Sequence, residues 1–270
     1  MIAADRAVYN ACDSNMGATP YIMQHRTWPH PRIICHRGGG TLAPENTLAG
    51  IRKAADLGFG GVEFDVMLSA DNMPVLIHDE TLERTTDGRG SVAATTYAQL
   101  TGLDAGAWFG PAYRGERVPT FEQAAKACVE LGLWANIEIK PANGFERETA
   151  SVTAGLVAKL WAGASHKPLL SSFHRICLEV ARSAAPEFER GYLTDRIERG
   201  WRESAEQLGC VSVHCNSGHL VEAQAHDVKR AGYGLLCYTV NDTDLARRLF
   251  SWGVDAIFTD RLDLFPPDFA

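Results

Sequence analysis

From residue 32 onward, short runs rich in β-branched and apolar residues alternate with Ala-rich stretches whose apolar positions recur every three or four residues. The first kind predicts strands and the second amphipathic helices. Their alternation predicts βα units built on a parallel sheet. Strands are expected over residues 32–36, 61–66, 74–78, 134–140, 168–173, 189–193, 210–215, 234–240 and 254–259. Helices are expected over 45–57, 121–131, 147–161, 175–184, 199–208, 220–231 and 243–252. Residues 1–31 mix Met, Asn, His, Pro and Trp without a clear period. They are read as an N-terminal extension to a single domain over 32–270.

Nine strands are one too many for a (β/α)₈ barrel, and connection length identifies the outsider. A parallel crossover needs a dozen or more residues. Only residues 67–73 separate the second strand from the third, and they contain the turn-forming Ala70-Asp71-Asn72. The run 74–78 is therefore expected to return antiparallel, as the second arm of a hairpin. Eight parallel strands remain, and a chain of 270 residues suits that fold as one domain. The predicted class is α/β, a (β/α)₈ barrel with a β-hairpin after its second strand.

Reactive groups of such barrels lie at the C-terminal ends of the strands. Here the first strand runs into His36-Arg37-Gly38-Gly39, the second carries Glu63 and Asp65, and the next barrel strand carries Glu138 and Lys140. Residues two apart on a strand project to one side. The apolar neighbours Val62, Phe64, Val66, Ile137 and Ile139 would then face the helices, leaving the charged residues in the barrel mouth. Three carboxylates against one lysine leave excess negative charge, which a hard divalent cation such as Mg²⁺ or Ca²⁺ balances. One such pair alone is better explained as a salt bridge inside the barrel. Two pairs on separate strands, with histidines at two further strand ends, point to a metal site.

His36 and His78 suit a general acid and a general base. The hairpin folds His78 back toward the strand end that carries Glu63 and Asp65. Arg37 beside His36 has the forked donors that fit phosphate oxygens. The other histidines, such as His25, His30 and His166, have no comparable setting.

Charge narrows the partners. With 26 basic and 33 acidic residues the formal charge is −7, which argues against wrapping nucleic acid but allows a small phosphate ester. Seven cysteines, an odd number without a CxxC pair, suggest reduced thiols. No signal peptide and no membrane-spanning apolar run is visible, so a cytoplasmic location and no stable membrane association are expected.

The strings HRGG (36–39), PENT (44–47), VEFDV (62–66), PVLIHD (74–79), IEIK (137–140), SSF (171–173), YTVN (238–241) and GVDAIFTD (253–260) together resemble the glycerophosphodiester phosphodiesterase family. The resemblance spans residues 33–261, in matching order and spacing. It implies a TIM barrel that hydrolyses glycerophosphodiesters to an alcohol and sn-glycerol 3-phosphate. It further implies Glu63, Asp65 and Glu138 as ligands of one divalent cation, and His36 and His78 as the catalytic pair. Arg37 and Lys140 correspond to phosphate contacts, and Glu45 to an acid near the metal and glycerol hydroxyls. Phe173 and Tyr238 correspond to glycerol-pocket aromatics, with Tyr238 standing where many relatives have Trp. The short stretch 85–119 argues against a large inserted cap.

Attack by water and prior attack by the glycerol 2-hydroxyl both remain open at this stage, as does the assignment of acid and base. One alternative is a lysophospholipase D-like or phosphatidylinositol-cleaving enzyme. Its docking loop would be Trp108-Phe109, although packing on the barrel rim accounts for that pair better. The other alternative is a non-catalytic barrel that binds phosphate esters, which would be expected to lack a catalytic group.

Overall fold

The computed structural model describes residues 28–164 and 166–269, so the N-terminal extension falls almost wholly outside the described residues. The strands are β1 (Ile33–Cys35), β2 (Gly61–Leu68), β3 (Pro74–Leu76), β4 (Trp134–Ile139), β5 (Leu169–Ser172), β6 (Glu189–Thr194), β7 (Ser212–Asn216), β8 (Gly234–Tyr238) and β9 (Ala256–Thr259). The helices are α1 (Leu48–Asp56), α2 (Tyr97–Leu100), α3 (Phe121–Leu131), α4 (Glu146–Leu160), α5 (Arg175–Ala184), α6 (Trp201–Leu208), α7 (Glu222–Arg230) and α8 (Thr243–Ser251).

β1, β2 and β4 to β9 pair in parallel around a closed ring, with β1 bonded to both β2 and β9. This is the predicted (β/α)₈ barrel. β3 pairs antiparallel with the far end of β2, Val66 facing Leu76 and Leu68 facing Pro74. The connection-length argument thus singled out the right strand. The turn between the arms places Asn72 at φ 59°, a left-handed conformation that asparagine tolerates better than most residues.

The helix expected from residue 45 starts instead at Leu48. Asn46 is left-handed, at φ 55°, and Thr47 is extended, so the helix cannot extend further back. Thr47 Oγ1 accepts from the Gly50 N–H at 3.1 Å and caps the first turn. Residues 36–47 therefore wind as a compact loop, which is where several site residues lie.

Alternation along the strands divides the interior. Val62, Phe64, Val66, Ile137 and Ile139 lie in the large apolar layer between barrel and helices. Ile34, Trp134, Leu169, Leu236, Ala256 and Phe258 form a separate cluster of opposite parity, against which Trp28 packs. A third cluster, with Met67, Val75, Ile77, Leu82, Val92, Leu100 and Val118, lies under the hairpin and the loop after it. Among the described residues no helix is long and apolar enough to cross a membrane.

Candidate active site

The pairing of β2 with β4 sets Asp65 beside Glu138 and Glu63 beside Asn136. One oxygen from each of Glu63, Asp65 and Glu138 lies within 4.8 Å of the others. Glu63 and Asp65 are only 3% and 2% exposed, so their mutual repulsion is poorly screened. Burial, with the Asp65 and Glu138 charges, lifts the Glu63 carboxyl well above the usual range. Burial and Asp65 push Glu138 up to about 7. Asp65 goes the other way. Burial raises it, but Lys140, His78, Arg37 and a hydrogen bond from Asn46 outweigh that and hold it low.

These carboxylates fit a hard cation. Glu63 Oε2 accepts from the Arg37 N–H at 2.9 Å, while its Oε1 is buried without a hydrogen-bond partner. An orphaned buried carboxylate oxygen next to two other carboxylates has the donor chemistry of Mg²⁺ or Ca²⁺ ligation.

Each of the two predicted histidines is held by an aspartate. His36 Nδ1 lies 2.7 Å from Asp260 Oδ1, and its Nε2 is 3.9 Å from Glu63 Oε2. His78 Nδ1 lies 2.6 Å from Asp79 Oδ1, and its Nε2 is 2.7 Å from Lys140 Nζ. An ionised aspartate accepts from the ring N–H and so selects the tautomer with a free Nε2. Burial lowers the His78 imidazole below its ordinary value, ahead of the opposing pull of Asp65.

The loop after β1 brings its residues close to the barrel axis by unusual backbone geometry. Arg37 is left-handed at φ 51°, a conformation disfavoured for a residue with a side chain. Gly40, at φ 53°, lies so close to the chain after β9 that a Cβ there would be 2.3 Å from the Asp260 carbonyl oxygen. Thr41 donates to that same oxygen from its N–H, at 2.7 Å, and from its hydroxyl, at 3.0 Å. The loop is thereby fastened to the segment that carries Asp260.

His36, Arg37, Glu63, Asp65, His78, Glu138, Lys140, Phe173 and Tyr238 all line one cavity of about 200 Å³ at the C-terminal mouth. Nine of the ten expected site residues are therefore together. Glu45 is the exception. Its carboxylate stands behind Arg37, accepting from Arg37 Nη1 at 2.8 Å and from Arg84, and it does not line the cavity.

The cavity has two unlike walls. The charged groups from β1, β2, β4 and the hairpin form one; Phe173, Leu193, Tyr238, Thr239 and Phe258 form the other. The Phe173 and Tyr238 rings meet edge to face at 5.9 Å, and the Tyr238 hydroxyl donates to the Thr194 carbonyl at 2.8 Å. Burial, with nearby Asp195, raises the Tyr238 phenol above its ordinary value, so it stays neutral. Trp108 is 42% exposed, but its indole N–H donates to the Ala105 carbonyl and its ring packs on Phe109, which packs on Tyr113. Tyr113 donates to the Leu42 carbonyl, so this loop is tied to the barrel rim.

Six further residues come into the site or its support without having been singled out as site residues: Asn46, Asp79, Arg84, Asn136, His214 and Asp260. Asn136 and His214 line the cavity floor. His214 is fully buried, and burial pushes its imidazole down to about 3. Strand parity is the signal that reaches Asn136, which precedes Glu138 by two on β4.

Comparison with known proteins agrees with this geometry. The glycerophosphoryl diester phosphodiesterase family model matches residues 36–264. A glycerophosphodiester phosphodiesterase of Caldanaerobacter subterraneus subsp. tengcongensis is 32% identical over 229 residues, covering 84% of this chain and 93% of that protein. Among solved structures, an Oleispira antarctica phosphodiesterase in complex with the product sn-glycerol-3-phosphate superposes with a TM-score of 0.82 at 38% identity, covering 89% of this chain and 95% of the other. A glycerophosphodiester phosphodiesterase from Agrobacterium tumefaciens gives a TM-score of 0.74 at 29% identity, covering 87% of this chain and 99% of the other.

Proposed function

The chain belongs to the glycerophosphoryl diester phosphodiesterase family, and from that premise we propose that it hydrolyses glycerophosphodiesters to an alcohol and sn-glycerol 3-phosphate, with metal dependence and His36 and His78 as acid–base pair. One observation carries this reading: two aspartate-held histidines and a cluster of three carboxylates line the same small cavity. The solved relative that binds sn-glycerol-3-phosphate supports the identity of the product.

Glu63, Asp65 and Glu138 would hold one divalent cation, Mg²⁺ or Ca²⁺, which when bound supplies Lewis-acid stabilisation of the phosphoryl oxygens. Arg37 and Lys140 offer further donors for the charge that grows on those oxygens. His78 is the base in this reading. Burial keeps its ring neutral, and Lys140 donates to the Nε2 lone pair that takes the proton once the ammonium turns to phosphate. The attacking oxygen, whether of water or of the glycerol 2-hydroxyl, gives its proton to that nitrogen. His36 enters this step as the imidazolium, its Nδ1–H held by Asp260, and gives its Nε2 proton to the leaving oxygen, becoming the neutral ring.

The aromatic wall of Phe173 and Tyr238 suits the uncharged glycerol backbone. Glu45 acts in this reading through Arg37, which it orients. The chain's barrel is taken as one domain over 32–270. Buried, unpaired thiols at the six described cysteines support a cytoplasmic setting.

The test is direct. His36→Ala and His78→Ala should each lower kcat on a panel of glycerophosphodiesters by about a thousandfold or more, with circular dichroism unchanged. Released glycerol 3-phosphate is the readout, and near-normal turnover in either variant sinks the assignment.

A further inference from the structure

A closed circuit of polar contacts runs around the cavity rim. Arg37 Nη1 donates to Glu45 Oε1 at 2.8 Å. Arg84 grips both oxygens of Glu45, from Nη1 at 2.6 Å and from Nη2 at 2.8 Å. The same guanidinium grips both oxygens of Asp79, from Nε at 2.6 Å and from Nη2 at 3.0 Å. Asp79 holds His78 Nδ1, and Lys140 meets the opposite nitrogen of that ring. Lys140 lies 3.5 Å from Asp65, which is 3.7 Å from Arg37 Nε and so closes the circuit.

Arg84 is the outermost member, with its side chain 44% exposed. An exposed ion pair by itself is worth little. This one differs in geometry: three nitrogens of one rigid fork hold four oxygens of two carboxylates that come from separate loops. The backbone that presents it is itself fastened. Leu82 N–H donates to the Gly90 carbonyl at 3.0 Å, and the Thr86 hydroxyl donates back to the Leu82 carbonyl at 2.6 Å. Without Arg84, two like-charged carboxylates would face each other, and each would gain rotamer freedom. Asp79 would then hold His78 less firmly, and Glu45 would hold Arg37 less firmly.

We infer that Arg84 is a positioning residue for catalysis: it sets the orientation of His78 through Asp79 and of Arg37 through Glu45, without touching the substrate. This rests on the acid–base reading of His78 above. Loss of alignment at reacting groups costs turnover even where binding groups survive. A lysine cannot substitute, because one ammonium on a flexible stem cannot hold four oxygens in a plane.

The experiment compares Arg84→Ala, Arg84→Lys, Asp79→Asn and the Arg84→Ala/Asp79→Asn double variant with the wild-type chain. Each is assayed with glycerophosphodiesters and with bis(4-nitrophenyl) phosphate, alongside thermal melts. Arg84→Ala is expected to lower kcat roughly ten- to hundredfold with far smaller changes in KM and Tm. Arg84→Lys should be as slow, and added guanidinium at a sub-denaturing concentration should restore part of the Arg84→Ala rate. On the Asp79→Asn background the same substitution should cost clearly less than in the wild-type chain, the remaining loss being the part that runs through Glu45 and Arg37, since coupled residues are non-additive. The inference is overturned by wild-type kcat in Arg84→Ala, by full recovery in Arg84→Lys, by losses that multiply in the double variant, or by a loss that follows Tm and resists guanidinium. A wild-type chain that cleaves the nitrophenyl ester but no glycerophosphodiester would refute the proposed substrate class instead, and the Arg84 comparison would then be decided on the ester.

Discussion

Beneath the charged groups, Gly191 lies against the imidazole of His214. A Cβ at this position would be 2.5 Å from the ring Nε2 and 2.6 Å from Cε1. The ring has nowhere to go, being fully buried with Nε2 2.9 Å from the Ser212 hydroxyl. Gly191→Ala should therefore cost about 1–3 kcal/mol of stability through overpacking. Urea melts measure this, and His214→Ala in the same chain should return part of the loss. Unchanged stability in Gly191→Ala would show that the floor can relax.

At the scale of elements, the hairpin arm β3 and the loop after it rest on an apolar cluster distinct from the main core. Leu100 at the end of α2 is fully buried in that cluster. Leu100→Ala is expected to cost about 2–5 kcal/mol by leaving a cavity. Its effect should be regional, with faster amide exchange over 74–118 than in the β5–β8 strands, because cooperative units open separately. Uniform exchange across the chain would contradict that division.

The same element shows what can be read from a sequence and what cannot. Strand parity and connection length led to the barrel, the hairpin and the charged residues Glu63, Asp65, His78, Glu138 and Lys140, because alternation and chain reach are local rules. Phe173 and Tyr238, by contrast, were expected only from the family resemblance. Glu45 stands behind Arg37 rather than on the cavity wall because the chain from 36 to 47 winds in turns set by Arg37 and Asn46 at positive φ. Asp260 meets His36 across 224 residues of sequence, and Arg84 meets Glu45 across 39. Such pairs exist only once the barrel has closed. Asp79 sits next to His78, yet nothing in the pair itself distinguishes an orienting partner from a surface acid.

For the molecule as a whole, the carboxylate cluster links metal, acidity and stability. Glu63 and Glu138 both titrate above an ordinary glutamate, Glu138 near 7 against 4.5. A raised acid binds protons in the folded chain that the unfolded chain has released, so its contribution is full below about 4.5 and is lost as pH rises toward about 7. Relative to a Glu138→Gln variant, metal-free wild-type protein should thus lose thermal stability across that window, while the depressed His78 and His214 act in the opposite direction in both chains. Adding Mg²⁺ or Ca²⁺ at a hundredfold excess over its Kd should restore about 2.7 kcal/mol and flatten the pH dependence. Chelation should also abolish turnover reversibly. A melting temperature indifferent to both pH and cation would remove the case for a metal held by these three acids.

The cluster of Ile34, Trp134, Leu169, Leu236, Ala256 and Phe258, with Trp28 packed against it, occupies the barrel beneath the cavity. Trp28 also lies 3.0 Å from where a Cβ on Gly234 would be, so the lower end is corked by a flat indole against a bare strand. Among the described residues the barrel is a vessel with a single door. Substrate must enter, and alcohol and phosphate ester must leave, past the same aromatic and charged jambs. Traffic is then sequential: the product that lingers keeps the next molecule out, and the pace of departure through that doorway sets a ceiling on turnover that the acid–base chemistry cannot raise.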